Sequence, residues 1–144
     1  MTPPAELIAL IQRFEGCRLA AYRCPAGIWT CGWGSTGADV TAATRWTQAQ
    51  ADARLAADVA RFVADALRLS PGLSKQRPGR LAAIADFCYN AGPGAYEGST
   101  LRKRVDAGDW AGARAEIVKW VHGGGQVLPG LVRRRAAEAA LLGA

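Results

Sequence analysis

"FEGCRLAAYRCPAGIWTCGWGSTG", residues 14–37, crowds cysteines, tryptophans and glycines around one carboxylate, Glu15, and the next acid along the chain is Asp39. Upstream, Pro3 and Pro4 precede Leu7, Leu10, Ile11 and Phe14. That spacing predicts an amphipathic helix beginning almost at once and ending near Glu15. A carboxyl there faces the negative end of the helix dipole, where the neutral acid is favoured. Downstream, Ile28 and Thr30 alternate with Trp29 and Cys31 between Gly27, Gly32 and Gly34. This predicts a small twisted hairpin with close backbone approaches. By position alone, Glu15 reads equally as a surface glutamate.

From Thr47 the pattern turns helical. Leu55, Val59, Phe62, Val63, Ala66 and Leu67 share one face of "TQAQADARLAADVARFVADALRL", so Thr47 caps the longest helix, placed to bridge two lobes. "SPGLSKQRPG", residues 70–79, is the clearest break, and "RLAAIADFCYNAG" is an apolar helix stopped by Gly92. "GPGAYEGST" reads as a loop whose Ser99 or Thr100 caps "LRKRVDAG"; Asp109 caps "WAGARAEIVKWVH"; and "LVRRRAAEAALL" is the last helix. The expected class is α+β, with a small antiparallel β lobe at about 16–46. The helical lobe is expected at about 70–144 together with the N-terminal helix, in one domain spanning 1–144.

The chain has 144 residues, half of them hydrophobic, and a net charge of +6. It can bury a real core, and its charge favours an anionic partner: nucleic acid, a membrane surface or an acidic wall polymer. No helix-turn-helix or zinc signature supports nucleic acid. The first residues carry no early Lys or Arg and no long apolar run, so no signal peptide or spanning segment is expected. Synthesis and accumulation in a cytoplasm follow, as does the reading of Cys17, Cys24, Cys31 and Cys88 as free thiols. Cys17, Cys31 and Cys88 read as apolar positions, and a Cys24–Cys31 bridge is the alternative for an oxidising compartment. The C-x6-C-x6-C spacing lacks the close pairs of structural zinc sites, so neither metal nor cofactor is expected.

The opening segment closely resembles the active-site region of the phage lysozyme (endolysin) family, muramidases that cut peptidoglycan. The family pattern is Glu, eight residues, Asp or Cys, five residues, Thr, then Gly-aromatic-Gly, matched here by Glu15, Cys24, Thr30 and Gly32-Trp33-Gly34. "DFCYNAGPGAYEGSTLRKRVDAGDW" and "KWVHGGGQVLPGLVRRRAAE" resemble the family's second and third signature stretches, in the same order. The resemblance implies a lysozyme-like fold and hydrolysis of the β-1,4 bond between N-acetylmuramic acid and N-acetylglucosamine. Such cleavage needs a proton donor and, on the opposite face, a group that supplies or directs water. By resemblance Glu15 is the donor, with Cys24 and Thr30 on the water side. Gly34, Thr36, Tyr89, Asn90 and Thr100 would line the sugar groove. Arg134 or Arg133 would pair with the acid, although the run Arg133–Arg135 reads equally as a solvated basic face.

Cys24 stands where many relatives carry aspartate. A thiol is largely neutral at neutral pH unless its surroundings favour the thiolate, for which Arg18 and Arg23 are candidates. Three roles stay open: a thiolate that orients water or stabilises the cation, a covalent nucleophile, or a degenerate slot. Ser35 replaces the histidine that many relatives place after Gly-aromatic-Gly, so that structural ion pair should be missing. Tyr89 also reads as a core aromatic, and the tryptophans read as packing residues. The resemblance further implies a monomer acting on bacterial peptidoglycan, waiting in the host cytoplasm for a holin to open the membrane. Nucleic acid and stable membrane insertion are not expected. A non-catalytic wall-binding module and a related chitin or chitosan hydrolase are the alternatives.

Overall fold

The computed structural model describes residues 2–143. Helix α1 runs Ala5–Glu15 and buries Leu7, Leu10 and Ile11, the face that the spacing predicts. It stops at Gly16, whose φ of 66° releases the chain into strands β1, Arg18–Arg23, and β2, Trp29–Gly32. These pair antiparallel, Tyr22 opposite Thr30 and Arg23 opposite Trp29, with an irregularity between Arg18 and Tyr22.

Helix α2, Gln48–Leu69, has a capping box: Thr47 accepts from the Gln50 amide while the Gln50 side chain accepts from the Thr47 amide. A cap of this kind stabilises a helix by about 1 kcal/mol. Leu55, Val59, Val63 and Ala66 are buried along it, joining the hairpin end to the helical lobe. A short 3-10 turn at Pro71–Lys75 makes the break, and helix α3, Pro78–Ala91, follows as the central element. Residues 81–88 of α3 are all buried, against α1, α2 and the last helix.

The loop expected after Gly92 contains a further short helix, α4, Pro93–Glu97. Ser99, not Thr100, caps helix α5, Thr100–Asp106, by accepting from the Arg102 amide. Asp109 caps helix α6, Trp110–Ile117, as expected. That helix ends five residues short of His122, because residues 122–127 form a second hairpin. Its strands β3, His122–Gly123, and β4, Gln126–Val127, are joined by Gly124 and Gly125 at positive φ. Helix α7, Pro129–Gly143, then returns across α3 and buries Arg134, Arg135, Glu138 and Leu142. Among the described residues, no helix is long and apolar enough to cross a membrane. The four cysteines are free: Cys31 and Cys88 are buried, Cys17 and Cys24 half-buried. Cys17 therefore departs from its apolar reading; its sulfur accepts from the Gln48 amide at 3.6 Å.

Candidate active site

Glu15 is the last residue of α1, its side chain 20% exposed at the mouth of a cleft of about 620 Å³. Cys24, Asn90, Lys119, Trp120 and His122 line the same cleft. The acid, the β1–β2 turn, the end of α3 and the second hairpin thus converge on one space. The cleft residues come from five separate stretches of chain, the last of them Leu128, Leu131 and Arg135 just before and along α7, and the core around α3 holds them in register.

The Glu15 carboxyl is fixed from two sides. Its Oε2 accepts from Arg134 Nη1 at 2.7 Å. Its other oxygen, Oε1, lies against Gly34: a Cβ placed there would come within 2.6 Å. Gly34 has φ of 87°, so absence of a side chain is required both by the backbone and by the acid. Gly32 meets a similar demand, since a Cβ would lie 3.0 Å from the Trp46 ring.

Cys24 and Thr30 are anchored on one carbonyl. The Cys24 amide donates to Ile28 O at 3.0 Å, and the Thr30 hydroxyl donates to the same oxygen at 2.9 Å. Thr30 is buried, and its oxygen keeps lone pairs for a donor. Arg18 and Arg23, candidates for favouring a thiolate, instead lie over the rings of Tyr22 and Trp29 at 4.3 and 4.8 Å. These cation–π contacts hold both guanidinium groups against rings of their own hairpin.

Of the expected groove residues, Asn90 reaches the cleft; its Oδ1 accepts from Arg135. Tyr89 sits beneath it, its hydroxyl donating to Trp33 O at 2.7 Å and its ring edge-on to Phe62. Burial raises the Tyr89 phenol well above its ordinary range, so it stays neutral. Tyr89 thus pins the Gly-Trp-Gly turn, and with it Gly34, to α3. Thr36 is exposed and gives its carbonyl to Arg54 Nη2 at 2.5 Å; Thr100 is exposed at the start of α5. Arg133 is exposed beside a neighbouring hollow, while Arg134 is 3% exposed. The structure therefore brings Arg134, and not Arg133, to the acid.

Ser35 makes no ion pair, as expected, but the position is not empty of charge. Its hydroxyl donates to buried Asp58 at 2.7 Å, and Arg54 supplies the cation, its Nε 3.1 Å from Asp58. The same guanidinium reaches Asp39 at 2.6 Å, tying the chain after the hairpin to α2.

The sequence reading missed Asp86, Arg135 and Glu138. Asp86 is fully buried and grips Arg134 with both oxygens, Oδ2 to Nε at 2.9 Å and Oδ1 to Nη2 at 2.7 Å. Arg135 donates to Glu138 Oε1, to Asn90 Oδ1 and, at 2.9 Å, to Trp120 O. Trp120 packs on Phe87 with ring centroids 5.2 Å apart, so this tryptophan both packs and faces the cleft. The available signal was a lone acid inside the apolar run "AAIADFCYN". Cys88 is packing: burial pushes its thiol up to about 12. No group of three or more His, Cys, Asp or Glu side chains among the described residues is arranged to hold a metal.

Residues 12–138 match the Phage lysozyme family model. An endolysin of Acyrthosiphon pisum secondary endosymbiont phage 1 is 40% identical, over 93% of this chain and 92% of that one. The endolysin of Bacillus phage PZA is 38% identical over 93% of this chain, which spans only about half (52%) of that relative's length. Among solved structures, the muramidase domain of SpmX from Asticaccaulis excentricus superposes with a TM-score of 0.84. It is 31% identical, over 99% of this chain and 98% of that one. With a family model matched over most of its length and a relative 40% identical over nearly all of both chains, the chain belongs to the phage lysozyme family.

Proposed function

We propose that the chain is a peptidoglycan-cleaving muramidase, an endolysin that hydrolyses the β-1,4 bond between N-acetylmuramic acid and N-acetylglucosamine. The observation that carries this reading is that Glu15 and Cys24 line one open cleft while Arg134 fixes the acid from behind. Oε2 is held by Arg134, which leaves Oε1 to carry the proton that goes to the glycosidic oxygen. As the C–O bond breaks, positive charge develops on the sugar ring. Cys24 and Thr30 orient the attacking water or stabilise that charge, and Lys119, which lines the cleft, suits the anionic groups of the wall polymer. The protein acts as one compact domain and as a monomer, held in the host cytoplasm until a holin opens the membrane.

Turbidity of outer-membrane-permeabilised Gram-negative cells should fall in the presence of the purified protein. Cells that stay turbid at micromolar protein, with the fold intact by circular dichroism, would remove the lytic reading. Stoichiometric alkylation of the Cys24 thiol with iodoacetamide, in a chain whose Cys17 is replaced by Ser, should lower the lytic rate at least about tenfold. An unchanged rate after full alkylation would leave Cys24 without a role.

A methyl group at Gly34 tests how closely the hairpin must approach the acid. Gly34→Ala places an atom 2.6 Å from Glu15 Oε1, inside van der Waals contact, and strains a left-handed backbone by about 1–2 kcal/mol. The carboxyl is displaced, and the lytic rate is expected to fall about 100-fold, with a much smaller change in melting temperature. Wild-type activity in this variant would contradict the described contact.

A further inference from the structure

Three carboxyls and two guanidinium groups form one connected cluster between the cleft and the core. Glu15 meets Arg134; Arg134 is gripped by Asp86; Glu138 meets Arg135; Arg135 holds Asn90. Asp86 and Glu138 are 0% exposed, and Glu138 is within hydrogen-bonding reach of the Asp86 carboxyl. Two contacting carboxylates in a dry interior cannot both ionise, so one proton stays with the pair. Asp86 accepts two charge-assisted bonds from Arg134, which favours its ionised form. Glu138 Oε2, in contrast, has no hydrogen-bond partner among the described residues if it is treated as a bare acceptor. A proton on that oxygen resolves the orphan, because O–H then donates to Asp86.

We propose that Asp86 and Glu138 hold a single proton between them, on Glu138, and act as positioning residues for Glu15 and Asn90 through Arg134 and Arg135. Neither lines the cleft. Asp86 fixes the plane of the Arg134 guanidinium and shares its charge, so Glu15 faces an arginine already half-neutralised. Glu138 fixes Arg135, whose other nitrogens hold Asn90 and the Trp120 carbonyl at the cleft wall.

The surroundings leave these two acids as the groups that set the balance. Glu138 faces Asp86 and Cys88 from α3 and Arg135 from its own helix. Burial, then the hydrogen bond and charge of Asp86, push the Glu138 carboxyl well above its ordinary 4.5. Burial opposes ionisation of Asp86, but the bonds from Arg134 and Glu138 overcome it and hold that carboxyl below its ordinary 3.8. Around Glu15, the charged neighbours are Arg134, with Arg13 and Arg133 beside the adjoining hollow. The hairpin contributes Tyr22 and Cys24, α3 contributes Tyr89, and Lys119, His122 and Arg135 line the cleft.

Glu138→Gln supplies an N–H donor in place of O–H and retains the carbonyl that accepts from Arg135. Its lytic rate should stay within about twofold of wild type, whereas Glu138→Met should lose about tenfold or more in kcat. Asp86→Asn leaves the Arg134 charge on Glu15 alone, and the alkaline limb of the lytic pH profile should move about one unit toward lower pH. These activity readouts rest on the muramidase reading. A readout that needs no substrate is the melting temperature of wild type against Glu138→Gln. The proton bound by folded Glu138 stabilises fully below the ordinary glutamate range, and that stabilisation declines as pH rises above it. The melting-temperature difference should therefore shift in favour of Glu138→Gln between about pH 4 and about pH 8. A difference independent of pH, or a Glu138→Gln variant as inactive as Glu138→Met, overturns the shared proton. A folded Asp86→Asn variant with the wild-type profile overturns the positioning role. A wild type without lytic activity overturns the muramidase reading, and the melting difference still decides the proton.

Discussion

Glu15→Gln is expected to lower the lytic rate by about 1,000-fold or more, the size of a lost general acid in a site whose other parts stay in place. The amide keeps an oxygen for Arg134 Nη1 and fills the same space beside Gly34, so geometry is nearly preserved. What disappears is the transferable proton. The substitution exchanges a side chain at the cleft mouth for one of equal size, so the melting temperature should move by only a few degrees. Clearing of permeabilised cells at a rate within tenfold of wild type would mean that another group protonates the leaving oxygen.

Arg134→Met is expected to damage stability and activity together. The arginine is buried, and it satisfies both oxygens of Asp86 as well as Oε2 of Glu15. Methionine fills much of the volume but leaves Asp86 buried without its counter-charge. Breaking one side of such a pair costs about 3–5 kcal/mol, a fall in melting temperature on the order of 10 °C for a chain of this length. Activity at a temperature where the variant is folded should fall about 100-fold, because Glu15 loses its anchor. Arg133→Met is the control: its side chain is exposed, so both quantities should stay near wild type. A variant of Arg134 as stable as the Arg133 control would contradict the buried network.

The hairpin and its acid were legible because their information is local. Glu15, Cys24 and Thr30 lie within sixteen residues, and Gly16, Gly32 and Gly34 mark the places where the backbone must turn left-handed. Helices α1, α2 and α3 were legible from apolar periodicity and from the caps at Thr47 and Gly92. The second hairpin was not: its strands are two residues long, and three glycines carry no alternation to read. Which arginine meets the acid was also beyond local reading, since consecutive positions 133–135 point in three directions around α7 and only packing against α3 selects two of them. Arg135 and Glu138 have the spacing of an ordinary exposed helix pair, i and i+3, and their burial depends on residues some fifty positions away. From sequence, Tyr89 reads as a groove residue or as a core aromatic. Its hydroxyl serves as a clamp on Trp33, a contact that spans 56 positions.

We propose that this cleft cleaves the glycan strand with Glu15 as proton donor. Digestion of purified peptidoglycan, followed by borohydride reduction and mass spectrometry of the released fragments, tests it most directly. Wild type should release muropeptides ending in reduced N-acetylmuramic acid, and Glu15→Gln should release almost none. Fragments ending in reduced N-acetylglucosamine, products cut only at peptide or amide bonds, or equal release by both proteins would contradict a Glu15-dependent muramidase.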